Sequence, residues 1–463
     1  MFFTFLKYPL VLIVAYLVTY TLTPLLARAA SALGIIDCAG PRRIHDKPTP
    51  RAGGLAIFIG VLSSSLVLFF HPWYQEIRGM FAVPWWSTYL IASTLIVIVG
   101  LIDDVKQISP PAKLAGQTVA AVVMYLGHVS VSGLLGYGFP ESLDLIATVF
   151  WFLVITNAFN LIDGYDGLAT GLAAISSLGL AGTMIFRDSA LEALFLLGLI
   201  GAACAFLRYN MYPAKVFLGD TGSMFLGFTL AAVTLATNSK STLLTSMGVP
   251  ILALGIPIID VILAIWRRSA RRILASLMGN KKTGGVMAGD LEHIHHRLAN
   301  SGIHPRNVAA TLYLLNAVLI LFGLISMISF NYAQGWFTLA LLSMVFIIVH
   351  FGIHVELQDS GLIIVYALSK RCHHLVAKSL RIAVDLCGLA LMLLAATLLM
   401  NPQQPLEVNF SIWLDHLPLW AGLPFCCIYL YELVYQRRKR RIKELKRLRT
   451  QPAIVGIVFA MAF

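Results

Sequence analysis

Four amide and carboxyl side chains at three-residue intervals, Asn157, Asn160, Asp163 and Asp166, close a long apolar run of the chain. Polar and ionisable groups are costly beside a bilayer, and such positions are functional-site candidates by default. Two further acidic signals stand at the ends of other apolar runs: the adjacent pair Asp103-Asp104, and Asp220 in Leu218-Gly-Asp-Thr-Gly-Ser223. Neighbouring carboxylates oppose each other's ionisation unless a cation offsets them. Oxygen donors of this kind suit a hard divalent ion, Mg2+ with Mn2+ as the alternative, which keeps much of its water shell and takes only one or two carboxylates. Acids gathered at one membrane face that is otherwise basic point to a divalent cation and a phosphorylated substrate. A straight helix turns by roughly 300° over three residues, so it cannot aim all four ladder members at one ion. Gly164 and Gly167 supply a break that brings Asp163 and Asp166 back towards the site. The plainer explanation for Asp166 or Asp220 alone is capping of the helix that follows; four members together exceed what capping requires.

Other residues fit the same chemistry. Glu292-His-Ile-His-His-Arg297 places His293, His295 and His296 beside Arg297, downstream of Arg267, Arg268, Arg271 and Arg272. The spacing offers no helical i, i+4 histidine pair and no cysteine support, so a tetrahedral zinc site is disfavoured. The group suits an anion such as a diphosphate, which needs donors as well as a metal. Phe217 is placed to stack on a nucleobase or simply to fill an interface. Lys106 either approaches a phosphate or pairs with Asp103. Asp260, in Ile256-Pro-Ile-Ile-Asp260 with Arg267 two turns on, fits a structural pairing and a catalytic role equally.

The elements that must position these groups are membrane-spanning helices. Of the 463 residues 58% are hydrophobic and only 12% charged, the balance of a polytopic membrane protein. Apolar stretches of spanning length occur near 9–33, 53–71, 86–102, 114–130, 144–160, 168–186, 190–207, 221–237, 247–266, 308–328, 335–352, 379–400 and 412–435. The expected fold is therefore all-α and polytopic, with about 11 core spans and about 2 more in a C-terminal extension. The first run reads as a retained helix and not as a removed signal. With the amino terminus outside, 30 of the 34 Lys and Arg fall on the inside, leaving Lys7, Arg78, Arg187 and Lys240. That asymmetry satisfies the positive-inside rule. The net charge of +12 thus describes a cytoplasmic face and excludes a nucleic-acid partner as its cause. The same alternation puts every polar motif above on that face of the inner membrane, and the carboxyl terminus with them. The six cysteines show no Cys-x-x-Cys spacing, so neither a disulfide framework nor a zinc ribbon is expected. The chain divides into a core, 1–352, and an extension, 353–463, whose basic run 436–449 suits anionic headgroups or simply fixes topology.

Read together, Pro50-Arg-Ala-Gly-Gly54, Asp103-Asp-Val-Lys106, Asn157-Ala-Phe-Asn-Leu-Ile-Asp-Gly-Tyr-Asp-Gly167, Leu218-Gly-Asp-Thr-Gly-Ser223, Ile256-Pro-Ile-Ile-Asp260 and His293-Ile-His-His-Arg297 resemble the polyprenyl-phosphate N-acetylhexosamine-1-phosphate transferases. The resemblance runs from about residue 34 to about residue 350 and keeps the motif order. It implies a UDP-N-acetylhexosamine and undecaprenyl phosphate as substrates, the lipid bilayer as setting, and a family tendency to homodimers on which these residues are silent. It also implies roles: Asp220 as principal Mg2+ ligand with Asn160, and Asp103 and Asp104 as the acids nearest the lipid phosphate and metal. Asp163 and Asp166 fall on the metal or nucleotide side, with Asn157 in support. Lys47 and Phe217 match positions that hold the uracil, and His293, His295, His296 and Arg297 match a loop closing over the sugar diphosphate. The His-Ile-His-His form resembles the N-acetylglucosamine branch and departs from the His-His-His form of the muramoyl-pentapeptide branch.

The implied reaction is attack of a lipid phosphate oxygen on the β-phosphorus of the UDP-sugar with departure of UMP. That nucleophile is largely ionised near neutral pH, so the protein chiefly positions reactants and stabilises charge. A covalent aspartyl route remains open. An ion-coupled transporter would instead place acids near the bilayer midplane. A CDP-alcohol phosphotransferase would leave the histidine-rich segment unexplained.

Overall fold

The computed structural model describes residues 2–37, 48–65, 84–134, 137–186, 189–236, 253–258, 260–261 and 305–328, all within the first of two compact units, Met1–Arg381. Among them run nine helices: α1 (Phe2–Ala32), α2 (Gly53–Ser65), α3 (Pro84–Lys106), α4 (Pro110–Leu126), α5 (Glu141–Ile162), α6 (Leu168–Phe186), α7 (Ala190–Asn210), α8 (Gly219–Ala236) and α9 (Pro305–Ile328). Two antiparallel strand pairs, Ile36–Asp37 with Thr49–Pro50 and Gly133–Leu134 with Tyr137–Gly138, trim the connections.

Five of these helices contain stretches long and apolar enough to cross a bilayer: Leu6–Ala32, Trp85–Lys106, Glu141–Ile162, Leu168–Phe186 and Ala190–Asn210. The protein is a multi-pass helical membrane protein, because helices satisfy every backbone group internally where water is absent. Exposed Ile91, Ile98, Leu101, Ile102 and Val105 along α3 are the outward face such a setting requires. The spans expected at 335–352, 379–400 and 412–435 lie outside the described residues. That at 247–266 is described only at 253–258 and 260–261, where it is mostly helical.

Helix α8 is the hub. Every residue from Thr221 to Leu235 is buried, and it packs against α2, α3, α5 and α6. Its amino terminus therefore opens into a junction of helix ends. Helix α3 ends where Gln107 takes a left-handed φ of 49° and returns its N–H to Asp103 O at 2.8 Å, a single-residue stop of the kind glycine usually supplies. Pro110 and Pro111 then start α4, their fixed φ and missing donor suiting a first turn. Residues 103–113, which the apolar stretches 86–102 and 114–130 leave as a connecting loop, are thus mostly helix: hydrogen bonding carries both helices past the apolar run, and Asp103, Asp104 and Lys113 ride on their terminal turns. The ladder is broken as its glycines suggest. Helix α5 ends at Ile162 with Asp163 as its cap residue, and Gly167, at φ 76°, leads into α6.

Candidate active site

Asp103 and Asp104 are both buried on the last turn of α3, and neighbouring helical positions point about 100° apart. Asp104 meets the start of α8. Its Oδ1 accepts the Asp220 N–H at 2.9 Å, while Oδ2 accepts the Thr221 N–H at 3.0 Å and the Thr221 hydroxyl at 2.6 Å. The first N–H groups of a helix lack intrahelical partners and carry the positive end of its dipole. A carboxylate from another helix here does the work of an N-cap. Gly219 makes the approach feasible: its φ is 74°, and a Cβ there would lie 2.7 Å from Asp104 Oδ2. Arg51 adds charge balance, its guanidinium 3.0 Å from Asp37 Oδ1 and 3.8 Å from Asp104 Oδ1.

The backbone fixes the same junction from the other side. Phe217 N–H donates to Pro50 O at 2.9 Å, Gly53 N–H to Phe217 O at 3.1 Å and Gly54 N–H to Leu218 O at 2.9 Å. The Pro-Arg-Ala-Gly-Gly segment is thereby zipped to the segment that delivers Asp220. Phe217 itself is half-buried at this edge.

Asp103 turns to a different set of partners. Its Oδ1 accepts the Ile108 N–H at 2.8 Å and its Oδ2 the Lys113 ammonium at 2.8 Å. The same Lys113 Nζ donates to Asp220 Oδ1 at 2.7 Å and to Asn160 Oδ1 at 3.2 Å. The Asn160 amide returns a hydrogen bond to Asp220 Oδ1, and donates another to Ser223 Oγ at 2.9 Å. Side chains from α3, α4, α5 and α8 thus close one network of two carboxylates, one carboxamide and one ammonium. Asp163, just beyond α5 and half-buried, has its carboxyl pushed well above the usual range, first by loss of solvation and then by the nearby Asp220 and Asp104 carboxylates.

The outer members of the ladder do other work. Asp166 Oδ2 accepts the Ala214 N–H at 2.9 Å and so holds the segment leading to Phe217. Buried Asn210 supports that segment too, donating to Val216 O at 3.0 Å. Asn157 sits one turn behind Asn160 and donates to Gln117 Oε1 at 2.7 Å. The sequence-predicted Asp103, Asp104, Asn160, Asp163 and Asp220 are therefore brought together, with Asn157, Asp166 and Phe217 around them. Lys47, His293, His295, His296 and Arg297 lie outside the described residues.

Lys113 and Arg51 escaped the sequence reading. The partner of Asp103 is Lys113, while Lys106 is exposed. A signal for it exists. Lys113 stands in the first turn of a helix, where the dipole disfavours a cation, and with Gln117 forms an i, i+4 polar stripe on an apolar helix. That stripe faces the Asn157–Asn160 stripe of α5.

Among the described residues no group of three His, Cys, Asp or Glu side chains forms a ready-made metal cage. The donors present, Asp220, Asn160 and Asp103, nevertheless fit Mg2+, which takes few carboxylates and completes its shell with water and phosphate oxygens.

The family model described as glycosyl transferase family 4 matches residues 86–238, the stretch that carries this junction. The chain is 33% identical over 356 residues to a probable undecaprenyl-phosphate N-acetylglucosaminyl 1-phosphate transferase of Bacillus subtilis, covering 76% of this chain and 91% of that one. It is 30% identical over 348 residues to the decaprenyl-phosphate N-acetylglucosaminephosphotransferase of Mycobacterium tuberculosis H37Rv, covering 70% and 83% respectively. To the undecaprenyl-phosphate α-N-acetylglucosaminyl 1-phosphate transferase of Escherichia coli K12 it is 25% identical over 330 residues, covering 69% and 83%.

Proposed function

The chain belongs to glycosyl transferase family 4, and from that premise we propose that it transfers N-acetylglucosamine 1-phosphate, or a related N-acetylhexosamine 1-phosphate, from its UDP-sugar to undecaprenyl phosphate and releases UMP. This is the first membrane step of a cell-surface polysaccharide, carried out at the cytoplasmic face of the inner membrane. The observation that carries the reading is the convergence of Asp103, Asn160 and Asp220 from three helices on one point, Lys113. Acids and a cation so arranged at helix ends suit a diphosphate, whereas an ion-coupled transporter needs them along the span.

Asp220 and Asn160 would hold Mg2+. When bound, the ion supplies positive charge to the diphosphate and to the departing UMP. The residues of the chain do the remainder. Asp103, the acid that shares Lys113 with Asp220, accepts a residual proton from the lipid phosphate. An oxygen of that phosphate forms the new bond to the β-phosphorus as the bond from the β-phosphorus to the bridging oxygen breaks, and UMP leaves with that oxygen. Asp104 holds the amino terminus of α8, and with it Asp220, at a fixed distance from α3. Asp166 orders the segment that presents Phe217 to the uracil, a base the family resemblance also assigns to Lys47. Asp163 lies on the nucleotide side. His293, His295, His296 and Arg297 close on the sugar diphosphate. Direct displacement is preferred to an aspartyl intermediate because Asp103, Asp104 and Asp220 are each already committed to a donor.

The test is incubation of membranes containing the full chain with labelled UDP-N-acetylglucosamine, undecaprenyl phosphate and Mg2+. A labelled lipid diphosphate and one UMP per lipid product are expected. Absence of both, with the protein inserted, overturns the reading.

A further inference from the structure

Lys113 stands where a metal ion would stand. Its ammonium lies 2.7 Å from Asp220 Oδ1, 2.8 Å from Asp103 Oδ2 and 3.2 Å from Asn160 Oδ1, oxygens contributed by three different helices. Mg2+ binds such oxygens at about 2.0–2.1 Å. An ion seated on Asp220 Oδ1 and Asn160 Oδ1 from the same side would approach the ammonium to within a few ångströms. Two like charges that close, inside a junction of buried groups, repel strongly. The ammonium and the divalent ion are therefore alternatives for one set of ligands.

The side chain is also built to leave. Lys113 is in the first turn of α4, its charge on a flexible four-carbon stem. Asp103 can keep hold of it, since Asp103 Oδ1 is independently anchored by the Ile108 N–H and leaves Oδ2 for the ammonium. A phosphate group entering the junction offers the ammonium a second anionic partner. We propose that Lys113 is an internal counter-ion that competes with the divalent metal for Asp220 and Asn160, and that an incoming phosphate releases the metal site by taking over the ammonium. The inference rests on the reading that Asp220 and Asn160 hold the metal. It adds that the substrate-free protein binds the metal weakly by design, and that metal and phosphate bind cooperatively, each strengthening the other by the same factor.

The measurement is direct Mn2+ binding, followed by loss of the free-ion paramagnetic signal, with the full chain in lipid nanodiscs and no substrate. Lys113→Met is expected to bind Mn2+ at least about tenfold more tightly than wild type. Lys106→Met removes the same charge from an exposed neighbour and is expected to shift the affinity by less than about twofold. UMP is expected to tighten Mn2+ binding more in wild type than in Lys113→Met. Lys113→Gln, which keeps a polar end, carries the comparison where the Met variant fails to insert. Asp220→Asn tests the underlying reading separately, since it should abolish the site in either background. Equal or weaker binding by Lys113→Met, with Asp220→Asn still abolishing it, overturns the counter-ion role and leaves the metal ligands standing. Mn2+ binding indifferent to Asp220→Asn overturns both.

Discussion

Two buried polar regions of this protein solve the same problem differently. At the junction of α3, α4, α5 and α8, charged groups are cross-linked, and Asp103, Asp104, Lys113 and Asp220 each meet two or more partners. Along the seam between α6 and α9 the hydrogen bonds join neutral groups. Ser176 Oγ donates to Ala253 O at 2.5 Å and accepts from Asn316 Nδ2 at 3.1 Å, while the Tyr313 hydroxyl donates to Gly167 O at 2.6 Å. The seam even leaves Asn316 Oδ1 without a hydrogen-bond partner among the described residues. Burying an unpaired amide or hydroxyl costs a few kcal/mol at most, whereas an unpaired carboxylate costs far more. Neutral groups can therefore lie in the middle of a span as packing links. Charges collect at helix termini, where free N–H groups and opposite charges from neighbouring helices compensate them. The small residues of the seam serve packing: a Cβ on Gly171 would fall 2.2 Å from the Tyr313 ring, and one on Gly179 2.3 Å from Ile320.

This contrast can be broken at either region. The largest effect is expected from Asp220→Asn, which should lower Mg2+-dependent UMP release by at least about a hundredfold while the protein stays folded. Near-normal turnover would remove Asp220 from the metal site. Asp104→Asn should come next, lowering kcat by about tenfold or more, with a smaller change in KM for the UDP-sugar, because a weaker acceptor loosens the start of α8. A change confined to KM contradicts the positioning role. At the seam, Asn316→Ala should cost about 1–2 kcal/mol of stability and leave kcat within about twofold. If activity falls with no fall in melting temperature, the seam is not the passive region described here. Deleting 437–463 should change activity in membranes by less than about twofold, since a basic run of this kind suits anionic headgroups. Total loss with normal insertion would make the tail part of the site.

Much of the fold was legible locally. The span expected at 168–186 coincides with α6, and those at 86–102, 114–130, 144–160, 190–207, 221–237 and 308–328 agree with helices to within about four residues, because the length of an apolar run is a property of consecutive residues. The ends were less legible. Asp103, Asp104, Lys113 and Asp220 read as loop residues by polarity, yet each lies on a helical turn, since backbone hydrogen bonding extends a helix beyond its apolar stretch. The ladder was legible as a whole but not in its parts. Asn160 enters the junction, while Asn157 supports it from behind and Asp166 holds the strap before Phe217.

By itself, the order of residues determined that this is a helical membrane protein with its acids at one edge, because hydropathy and charge asymmetry act along the chain. Only the tertiary structure decided the division of labour within the acid pair. Asp104 caps a helix 116 residues downstream, while Asp103 shares a lysine with a carboxylate 107 residues beyond that lysine. Such pairings depend on which helix ends meet and which way each terminal turn faces. That is settled by the packing of the buried hub α8 against its neighbours, and no local pattern encodes it.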